Sequence, residues 1–386
     1  MSQPTVVVAG LGDTGIMVAT RLARRCRVIG VTTRPALVSG QELGMRLTDP
    51  ERWGKSYLVP LSRFRRLDDI EVRQGRVTSV DLAAATVEIE SAVGDREHVH
   101  YDVLVIATGV SNGFWRNDRV EGLAAAEQRI ADDSAMLRAA RKVAVIGGGA
   151  TAVSVADNVA RRGGADVHLF FPGDELLAQH HPSARRWVAR RLRSDGVTLH
   201  PGHRAVTPGG GIPSSITQQA VEWETGQPSV EADAVLWAIG RTRPHTSFLP
   251  SSVLDNNGFV RVDQHLQVDG QPKVFAVGDV AASDPLRSSA RNWGHRVVVS
   301  NVRAVLRGRP PRRRFRAPKY RWGSILGLQR EGLTVATAAG PRFRVPRRIA
   351  ERVLLGWFVS RVLYGGIRRA PAAEKRDRTD PPSRRR

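Results

Sequence analysis

The opening stretch of the chain, residues 5–15, constrains the fold more than any other. It begins with an uninterrupted apolar run, which is typical of a parallel strand buried on both faces. Gly10, Gly12 and Gly15 then follow in GxGxxG spacing. An amphipathic segment, 16–25, comes directly after them. A strand, a glycine turn and a helix in this order are the context of a dinucleotide-binding turn.

Each of these glycines has a separate physical task. Gly10 allows the tight turn, Gly12 leaves the backbone open to a pyrophosphate, and Gly15 lets the helix pack closely on the strand. The phosphates would then meet the unpaired N–H groups at the start of the helix. Because glycine turns also serve ordinary α/β packing, the interpretation depends on the rest of the chain.

The same design returns 137 residues later. An apolar run from 142 meets Gly147, Gly149 and Ala152 in GxGxxA form, and a second helix is predicted to start there. Further apolar runs that end in small-residue turns lie at 101–109, 232–240 and 274–279. Repeated strands with glycine turns predict an α/β fold with two Rossmann-like units.

Length and charge divide the chain further. At 386 residues it is long enough for two or three domains. The formal net charge is +22, and residues 303–386 hold 24 Lys and Arg against 5 Asp and Glu, which leaves about +3 for the first 302 residues. The basic character therefore belongs to a C-terminal module.

The chain has one cysteine, Cys26, so it can form neither an internal disulfide nor a CxxC redox pair. No Ser-His-Asp arrangement and no metal-ligand spacing appears, and we predict no metal site. We also expect no signal peptide and no membrane span, because no run of 18 apolar residues occurs. These features predict a cytoplasmic protein, or one held peripherally on the cytoplasmic face of a membrane.

The motifs GxGxxG, ATG, GGGxTA, AIGRTRP and FAVGD stand in an order that resembles the two-dinucleotide-binding-domain flavoproteins. The segments RLTDPERWGKSYLVP and GFVRVDQHLQVDGQPKVFAVGDVA are most similar to the apoptosis-inducing-factor-like, ferroptosis-suppressor-type NAD(P)H:quinone oxidoreductases, which are related to type II NADH dehydrogenases. The resemblance implies an FAD-binding domain at 1–115 and 244–305, with an NAD(P)H-binding domain inserted at 116–243. A basic module at 306–370 and a disordered tail at 371–386 would follow.

The resemblance also implies which residues bind the cofactors. FAD contacts would fall on Gly10, Gly12, Thr14, Gly15, Thr32, Arg46, Val77, Ala107, Thr108, Gly109, Gly278 and Asp279. NAD(P)H contacts would fall on Gly147, Gly149, Ala150, Thr151, Ala152, Gly240 and Arg241. Lys55 matches a lysine that this branch places near the isoalloxazine, where a cation would stabilise the reduced ring. From the residues alone, Asp279 could also cap a helix running on through Ala281. Residues 34–59 are irregular and polar in the sequence, so without the resemblance Arg46 and Lys55 would be expected on the solvated surface.

Three positions depart from the family pattern. Thr32 or Thr33 stands where an acid usually binds the ribose, Ser154 replaces a glutamate on the second glycine-rich helix, and Phe171 replaces the acid that favours NADH. The choice between NADH and NADPH therefore stays open.

The resemblance implies an FAD-dependent oxidoreductase that takes hydride from NAD(P)H. Without a cysteine pair, its electrons would go to a quinone or another small acceptor. Two alternatives remain: a reductase of a small ferredoxin- or rubredoxin-type carrier, and a flavin- or nucleotide-binding sensor with little turnover.

The C-terminal module contains a basic linker at 309–316 and an apolar helical stretch at 349–367 flanked by arginines. This stretch could lie on an anionic membrane surface, or dock on the flavin domain or on a homodimer partner. We predict that residues 309–386 guide the enzyme to its acceptor and leave the hydride-transfer site to the rest of the chain. Nucleic acid is disfavoured as a partner, because no recognition motif is present.

Overall fold

The computed structural model describes residues 3–116, 120–240 and 242–368. Arg241 and the predicted tail at 371–386 lie outside the described residues. The strands, in chain order, are β1 Thr5–Ala9, β2 Arg27–Thr32, β3 Ala36–Val38, β4 Leu58–Pro60, β5 Glu71–Asp81, β6 Thr86–Ser91, β7 Arg96–His100, β8 Val103–Ile106, β9 Val110–Ser111, β10 Lys142–Ile146, β11 Asp166–Phe170, β12 Val197–His200, β13 Ala234–Trp237, β14 Arg243–Pro244, β15 Gln267–Val268, β16 Gln271–Ala276, β17 Gly323–Gln329, β18 Gly332–Ala336 and β19 Arg342–Val345.

The helices are interleaved with these strands. The α-helices are α1 Asp13–Leu22, α2 Leu43–Thr48, α3 Pro50–Tyr57, α4 Leu123–Ala139, α5 Ala150–Arg162, α6 Pro182–Ser194, α7 Gly294–Val305 and α8 Arg347–Ile349. A π-helix, Ala350–Leu363, continues from α8. Short 3₁₀ turns lie at Leu61–Arg63, Arg65–Leu67, Gly113–Trp115, Pro208–Gly210 and Ser251–Val253.

The larger sheet has the strand order β15-β16-β8-β1-β2-β5-β6-β7. Its middle strands pair in parallel, as expected for apolar runs that are covered on both faces. Val6, Val7 and Val8 of β1 are fully buried, and α1 and α7 pack on one face of the sheet. The hairpin strands β5, β6 and β7 pair antiparallel at one end of the sheet.

The smaller sheet repeats the parallel design in the order β12-β11-β10-β13. Its core forms between β10, β13 and the helices α5 and α6. The chain enters and leaves this unit through β9 and β14, which pair antiparallel with each other. Two parallel α/β units confirm the predicted fold class, whereas the domain boundaries stay a prediction.

The stretch between β2 and β5 corrects one expectation. The sequence predicted an irregular, polar stretch over 34–59, but the structure forms α2, α3 and the β3–β4 pair there. Trp53 and Leu47 are fully buried, and the indole N–H of Trp53 donates to the Gln41 carbonyl at 2.9 Å. Tertiary contacts therefore stabilise two helices that are too short to be stable alone.

The C-terminal module is a small antiparallel sheet, β17-β18-β19, followed by α8 and the π-helix. The basic linker before it is held to α7, because Asn301 bonds the backbone of Arg312 and Arg313. The end of the chain returns to the first unit: the N–H of Arg65 donates to the Gly366 carbonyl at 3.0 Å. The end of the chain therefore packs on the first unit, while Val353 and Trp357 of the π-helix stay exposed.

Candidate functional site

A cavity of about 920 Å³ lies at the carboxyl ends of β1 and β8, between the two units and the C-terminal sheet. Drug-sized ligands and cofactors bind in cavities of this order, about 300–1,000 Å³. The predicted contact residues that line it are Gly10, Gly12, Thr14, Thr32, Arg46, Val77, Ala107, Thr108, Gly109, Ala150, Thr151, Gly278 and Asp279. Predicted residues of the first glycine turn therefore line the same cavity as Ala150 and Thr151, which follow the second.

The first glycine turn joins β1 to α1 as its spacing predicts. Gly10 has a φ of +100°, and a Cβ there would lie 2.5 Å from the Ala107 carbonyl oxygen. A Cβ on Gly15 would lie 1.8 Å from the Gly10 oxygen, so Gly15 packs beneath the turn and does not line the cavity. Around Gly12, by contrast, a Cβ would meet no atom within 4 Å. The turn therefore leaves open the space that a diphosphate needs.

Asp13 at the start of α1 ties this turn to two distant segments. Its carboxylate accepts hydrogen bonds from the Ser39 hydroxyl at 3.0 Å, the Gly40 N–H at 3.3 Å and the Tyr364 hydroxyl at 2.7 Å. Burial, and then the nearby Asp13 carboxylate, raise the pKa of Tyr364 well above its ordinary value. The phenol therefore stays protonated and donates to Asp13.

The turn after β8 is fixed by the chain that returns from the second unit. The Thr108 hydroxyl donates to the His245 carbonyl at 2.7 Å, and the His245 N–H donates to the Gly109 carbonyl at 3.1 Å. Gly109 has a φ of +71°, which favours glycine. The Thr32 side chain bonds only the backbone of Arg34 within the described residues, and it faces the cavity from the end of β2.

The turn after β16 places Asp279 at the cavity. The Gly278 N–H donates to the buried Ser289 hydroxyl at 2.9 Å. Asp279 forms an ion pair with Arg116, about a third of each side chain being exposed. Burial alone would raise the pKa of Asp279, but the Arg116 charge and hydrogen bond outweigh it and lower the pKa. The chain turns at 278–280 and continues without a helix, so the helix-cap alternative is wrong.

Replacing Asp279 should therefore weaken cofactor retention more than folding. We expect Asp279→Ala to lower the affinity for FAD by about 1–3 kcal/mol, because the variant loses a polar partner and leaves Arg116 unpaired. Equilibrium dialysis against FAD, with thermal unfolding of the apoprotein alongside, measures both effects. A variant that keeps full flavin affinity and loses only thermal stability would contradict this role.

The second glycine turn is built like the first. Gly147 has a φ of +137°, and a Cβ there would lie 2.3 Å from the Ala238 oxygen. Around Gly149 no atom lies within 4 Å of such a Cβ, and α5 begins at the next residue. Ala150, Thr151 and Ser154 of α5 line the cavity, whereas Gly147, Gly149, Ala152 and Gly240 do not.

Arg46 is 2% exposed and lies in the cavity wall at α2. Its guanidinium donates to the carbonyls of Trp115 at 3.0 Å and Phe114 at 3.4 Å, and it lies over both aromatic rings. Burial, and then the nearby Arg129, lower the pKa of Arg46 to about 10. Arg46 therefore stays charged at neutral pH and keeps a positive charge at the wall.

Lys55 lies elsewhere. It sits on the outer side of α3, where its side chain is 70% exposed and pairs with Glu51 one helical turn earlier, at 2.9 Å. The side-chain hydrogen bond and charge of Glu51 raise the pKa of Lys55. The structure does not bring Lys55 to the cavity, so its predicted part in the chemistry stays a prediction that this geometry does not favour.

The C-terminal module lines the cavity, and this corrects the expectation that it takes no part in the site. Gly323, Ile325 and Gly327 of the small sheet reach the wall. Phe358, Leu363 and Tyr364 reach it from the end of the chain. The module therefore closes one side of the site.

Sequence reasoning missed several cavity residues. They are Asp13, Glu42, Tyr57, Arg116, Arg291, Arg321 and Tyr364. Asp13 stands inside the glycine motif itself, and its position there was the available signal. The others come from loops and short helices that no local pattern connects to the motif.

Arginines outnumber carboxylates in the wall, and this excess of positive charge suits an anionic dinucleotide. The guanidinium groups that line it belong to Arg34, Arg46, Arg76, Arg116, Arg129, Arg243, Arg287, Arg291 and Arg321. Together with the open space at Gly12, this set fits the diphosphate of FAD.

Comparisons with known proteins agree with this geometry. The family model described as pyridine nucleotide-disulphide oxidoreductase matches residues 4–302. Oxidoreductase ptaL of Pestalotiopsis fici is 28% identical over 254 residues, which cover 64% of each chain. Ferroptosis suppressor protein 1 of Xenopus tropicalis is also 28% identical, over 61% of this chain and 64% of that protein. The chain thus spans 64% of the length of these two curated relatives.

The structure of a NAD-dependent persulfide reductase from A. fulgidus superimposes with a TM-score of 0.66. The two sequences are 18% identical. The superposition covers 90% of this chain and 65% of the reductase, so the likeness shows the fold. The predicted resemblance to this family is confirmed. Because the family model matches most of its length, the chain belongs to the pyridine nucleotide-disulphide oxidoreductase family.

Proposed function

We propose that the protein is an FAD-dependent oxidoreductase that takes hydride from NAD(P)H and passes electrons to a quinone or a similar small acceptor. One observation carries this proposal: a single cavity is bordered by the first glycine turn and by the start of α5 after the second. A dinucleotide on each turn would extend into the same space. A bound flavin would supply the hydride chemistry, and the protein would supply orientation and charge.

The residues of this chain divide that work. The turn at Gly10–Gly12 and the wall arginines would hold the flavin diphosphate, while Asp279, oriented by Arg116, would accept hydrogen bonds from the ribityl chain. Thr151 and Ser154 at the start of α5 would face the NAD(P)H. The closed C-terminal side would keep bulk water from the site.

The single cysteine limits which acceptors the protein can reduce. Cys26 is 2% exposed, and its thiol donates to the Leu22 carbonyl at 3.2 Å. Burial raises the pKa of Cys26 to about 11, so the thiol stays protonated and unreactive at neutral pH. A disulfide relay within this chain is therefore excluded. Among acceptors that take electrons directly, the resemblance to NAD(P)H:quinone oxidoreductases favours a quinone.

We further propose that the π-helix meets an anionic membrane surface. Within the described residues, no helix is long and apolar enough to span a membrane. The segment from α8 through the π-helix nevertheless exposes Ile349, Val353 and Trp357 at four-residue spacing, each about half exposed. Arg348 and Arg352 are exposed beside them. Apolar side chains flanked by arginines fit an interface of anionic lipids.

Trp357→Ser should reduce binding to vesicles that contain phosphatidylserine, because the indole would no longer enter the interface. Binding of the wild-type protein should fall as salt rises, since exposed arginines contribute about 1 kcal/mol each and are screened. Val93→Ser is the control, because Val93 is also exposed but lies in the β6–β7 turn. Equal loss in both variants, or no loss in either, would contradict the proposed surface.

The proposed reaction is tested in two steps. Anaerobic addition of NADH or NADPH should reduce the flavin rapidly; slow or absent reduction would favour the sensor. The reduced protein is then mixed with a soluble quinone, or with a ferredoxin or a rubredoxin. Faster reoxidation by the quinone is expected, whereas faster reoxidation by a carrier protein would favour the carrier reductase.

A further inference from the structure

Glu42 stands where three parts of the molecule meet at the cavity. It precedes α2, which packs so closely on α5 that a Cβ on Gly44 would lie 2.4 Å from the Ser154 oxygen. From the C-terminal sheet, Gly327 approaches so closely that a Cβ there would lie 1.8 Å from the Glu42 Oε2. Glu42 and Gly327 both line the cavity.

In the proposed reaction, NAD(P)H and the flavin would meet at this position. NAD(P)H on α5 and a flavin on the first turn can face each other only where the two units meet. An acceptor that follows NAD(P)H into the site must reach the same place. Glu42 belongs to the wall of that place and carries a group that can exchange a proton.

The backbone at Glu42 is also unusual. It adopts φ 50° and ψ 41°, which lie in the left-handed region. Residues other than Gly, Asn and Asp rarely adopt this conformation. Such conformations persist where the surroundings fix them, and they are frequent at functional sites. Here the conformation starts α2 and directs the carboxyl group under Gly327.

The groups around the carboxyl leave it able to hold a proton near neutral pH. Burial raises the pKa of Glu42 to about 7, although the Leu328 N–H and the charges of Arg52, Arg161 and Arg291 act to lower it. The phenol of Tyr57 also faces Glu42, and burial and then the Glu42 charge raise the pKa of Tyr57 well above its ordinary value. Tyr57 therefore stays neutral, and Glu42 is the group here that changes charge near pH 7.

We propose that Glu42 donates a proton to the acceptor during its reduction. This inference rests on the proposed function. Reduction of a quinone to a quinol takes two electrons and two protons. Two electrons and one proton come from the hydride that leaves NAD(P)H. For the second proton, the O–H bond of Glu42 breaks as an O–H bond forms on the acceptor oxygen, and solvent then reprotonates the carboxylate.

The test compares acceptors that do and do not need a proton. Glu42→Gln should slow reoxidation of the reduced protein by a soluble quinone by about 100-fold, the size of a general-acid contribution. Reoxidation by ferricyanide, which takes electrons alone, should be unchanged. In the wild-type protein the quinone rate should fall as pH rises through about 7, because Glu42 loses its proton, and the variant should lack this fall.

Glu51→Gln is the matched control, since Glu51 is an exposed carboxylate paired with Lys55 at the start of α3. It should behave as wild type with both acceptors. Thermal unfolding gives a readout that does not depend on activity. A carboxyl group whose pKa is raised by folding lowers stability as pH rises from its unfolded pKa, about 4.3, to its folded pKa. The midpoint of Glu42→Gln should therefore rise relative to wild type between pH 5 and pH 8.

Unchanged quinone kinetics in Glu42→Gln would overturn the inference, and so would an equal loss with ferricyanide, which would point to a structural role. A constant difference in unfolding midpoint across pH would also contradict it. Failure of the proposed function is distinguishable: the wild-type protein itself would then not reoxidise with quinone, or its flavin would not be reduced by NAD(P)H.

Discussion

A protein that ends at Arg309 should be unable to retain FAD. It lacks the small sheet and the π-helix, which form one wall of the cavity. It also lacks the return of the chain to the first unit, where Arg21 donates to the Val362 and Leu363 carbonyls and Phe64 contacts Tyr364 edge-to-face. A protein that ends at Arg368 keeps these contacts and should bind FAD as the full-length protein does.

Flavin content after gel filtration and FAD titration of the apoproteins measure this difference. Because the shorter protein could fail to fold, Tyr364→Phe provides a milder change. It removes the hydroxyl that bonds Asp13 and keeps the ring against Phe64. We expect FAD affinity to fall by about 1.5–3 kcal/mol, the contribution of a hydrogen bond to a charged group. Full FAD affinity in both variants would restore the sequence prediction that the module only guides the enzyme.

The second large effect separates two glycines of one motif. Gly15→Ala should destabilise the fold by about 3 kcal/mol or more, because its Cβ would overlap the Gly10 carbonyl oxygen. Gly12→Ala should cost only about 1 kcal/mol or less of stability, the loss of a favourable N-cap residue. Its methyl group would occupy the open space of the turn, and we expect FAD affinity to fall at least tenfold, about 1.4 kcal/mol.

Chemical denaturation and FAD titration of the same two variants measure the contrast. Gly12→Ala must lose FAD while its apoprotein unfolds close to the wild-type midpoint. If Gly12→Ala bound FAD as tightly as wild type, the open space at the turn would not be the diphosphate site.

The parallel strands and glycine turns were predictable because their signals are local. The run before Gly10 and the run before Gly147 each place a buried strand, a sharp turn and a helix start within about a dozen residues. The close contacts that require glycine come from the same dozen residues or from the end of the neighbouring strand. The fold class, the family and the cavity residues at the glycine turns could therefore be predicted from the sequence.

The walls of the cavity were not predictable in the same way. Tyr364 lies 351 residues from Asp13, and no local pattern connects a phenol at the end of an apolar helix with a distant carboxylate. The polar sequence around Arg46 predicts a cation on the surface. In the structure, carbonyl oxygens and two aromatic rings hold Arg46 in the interior. Lys55 shows the opposite case, because matching a family position did not bring its side chain into the site.

The flavin itself shows most directly whether this protein is an FAD-dependent oxidoreductase. The purified full-length protein should be yellow, should release FAD on denaturation, and should bleach when NADH or NADPH is added without oxygen. Bleaching would show that both glycine turns serve one reaction. A colourless protein that cannot be reconstituted with FAD, or a flavoprotein that neither nucleotide reduces, would contradict the account.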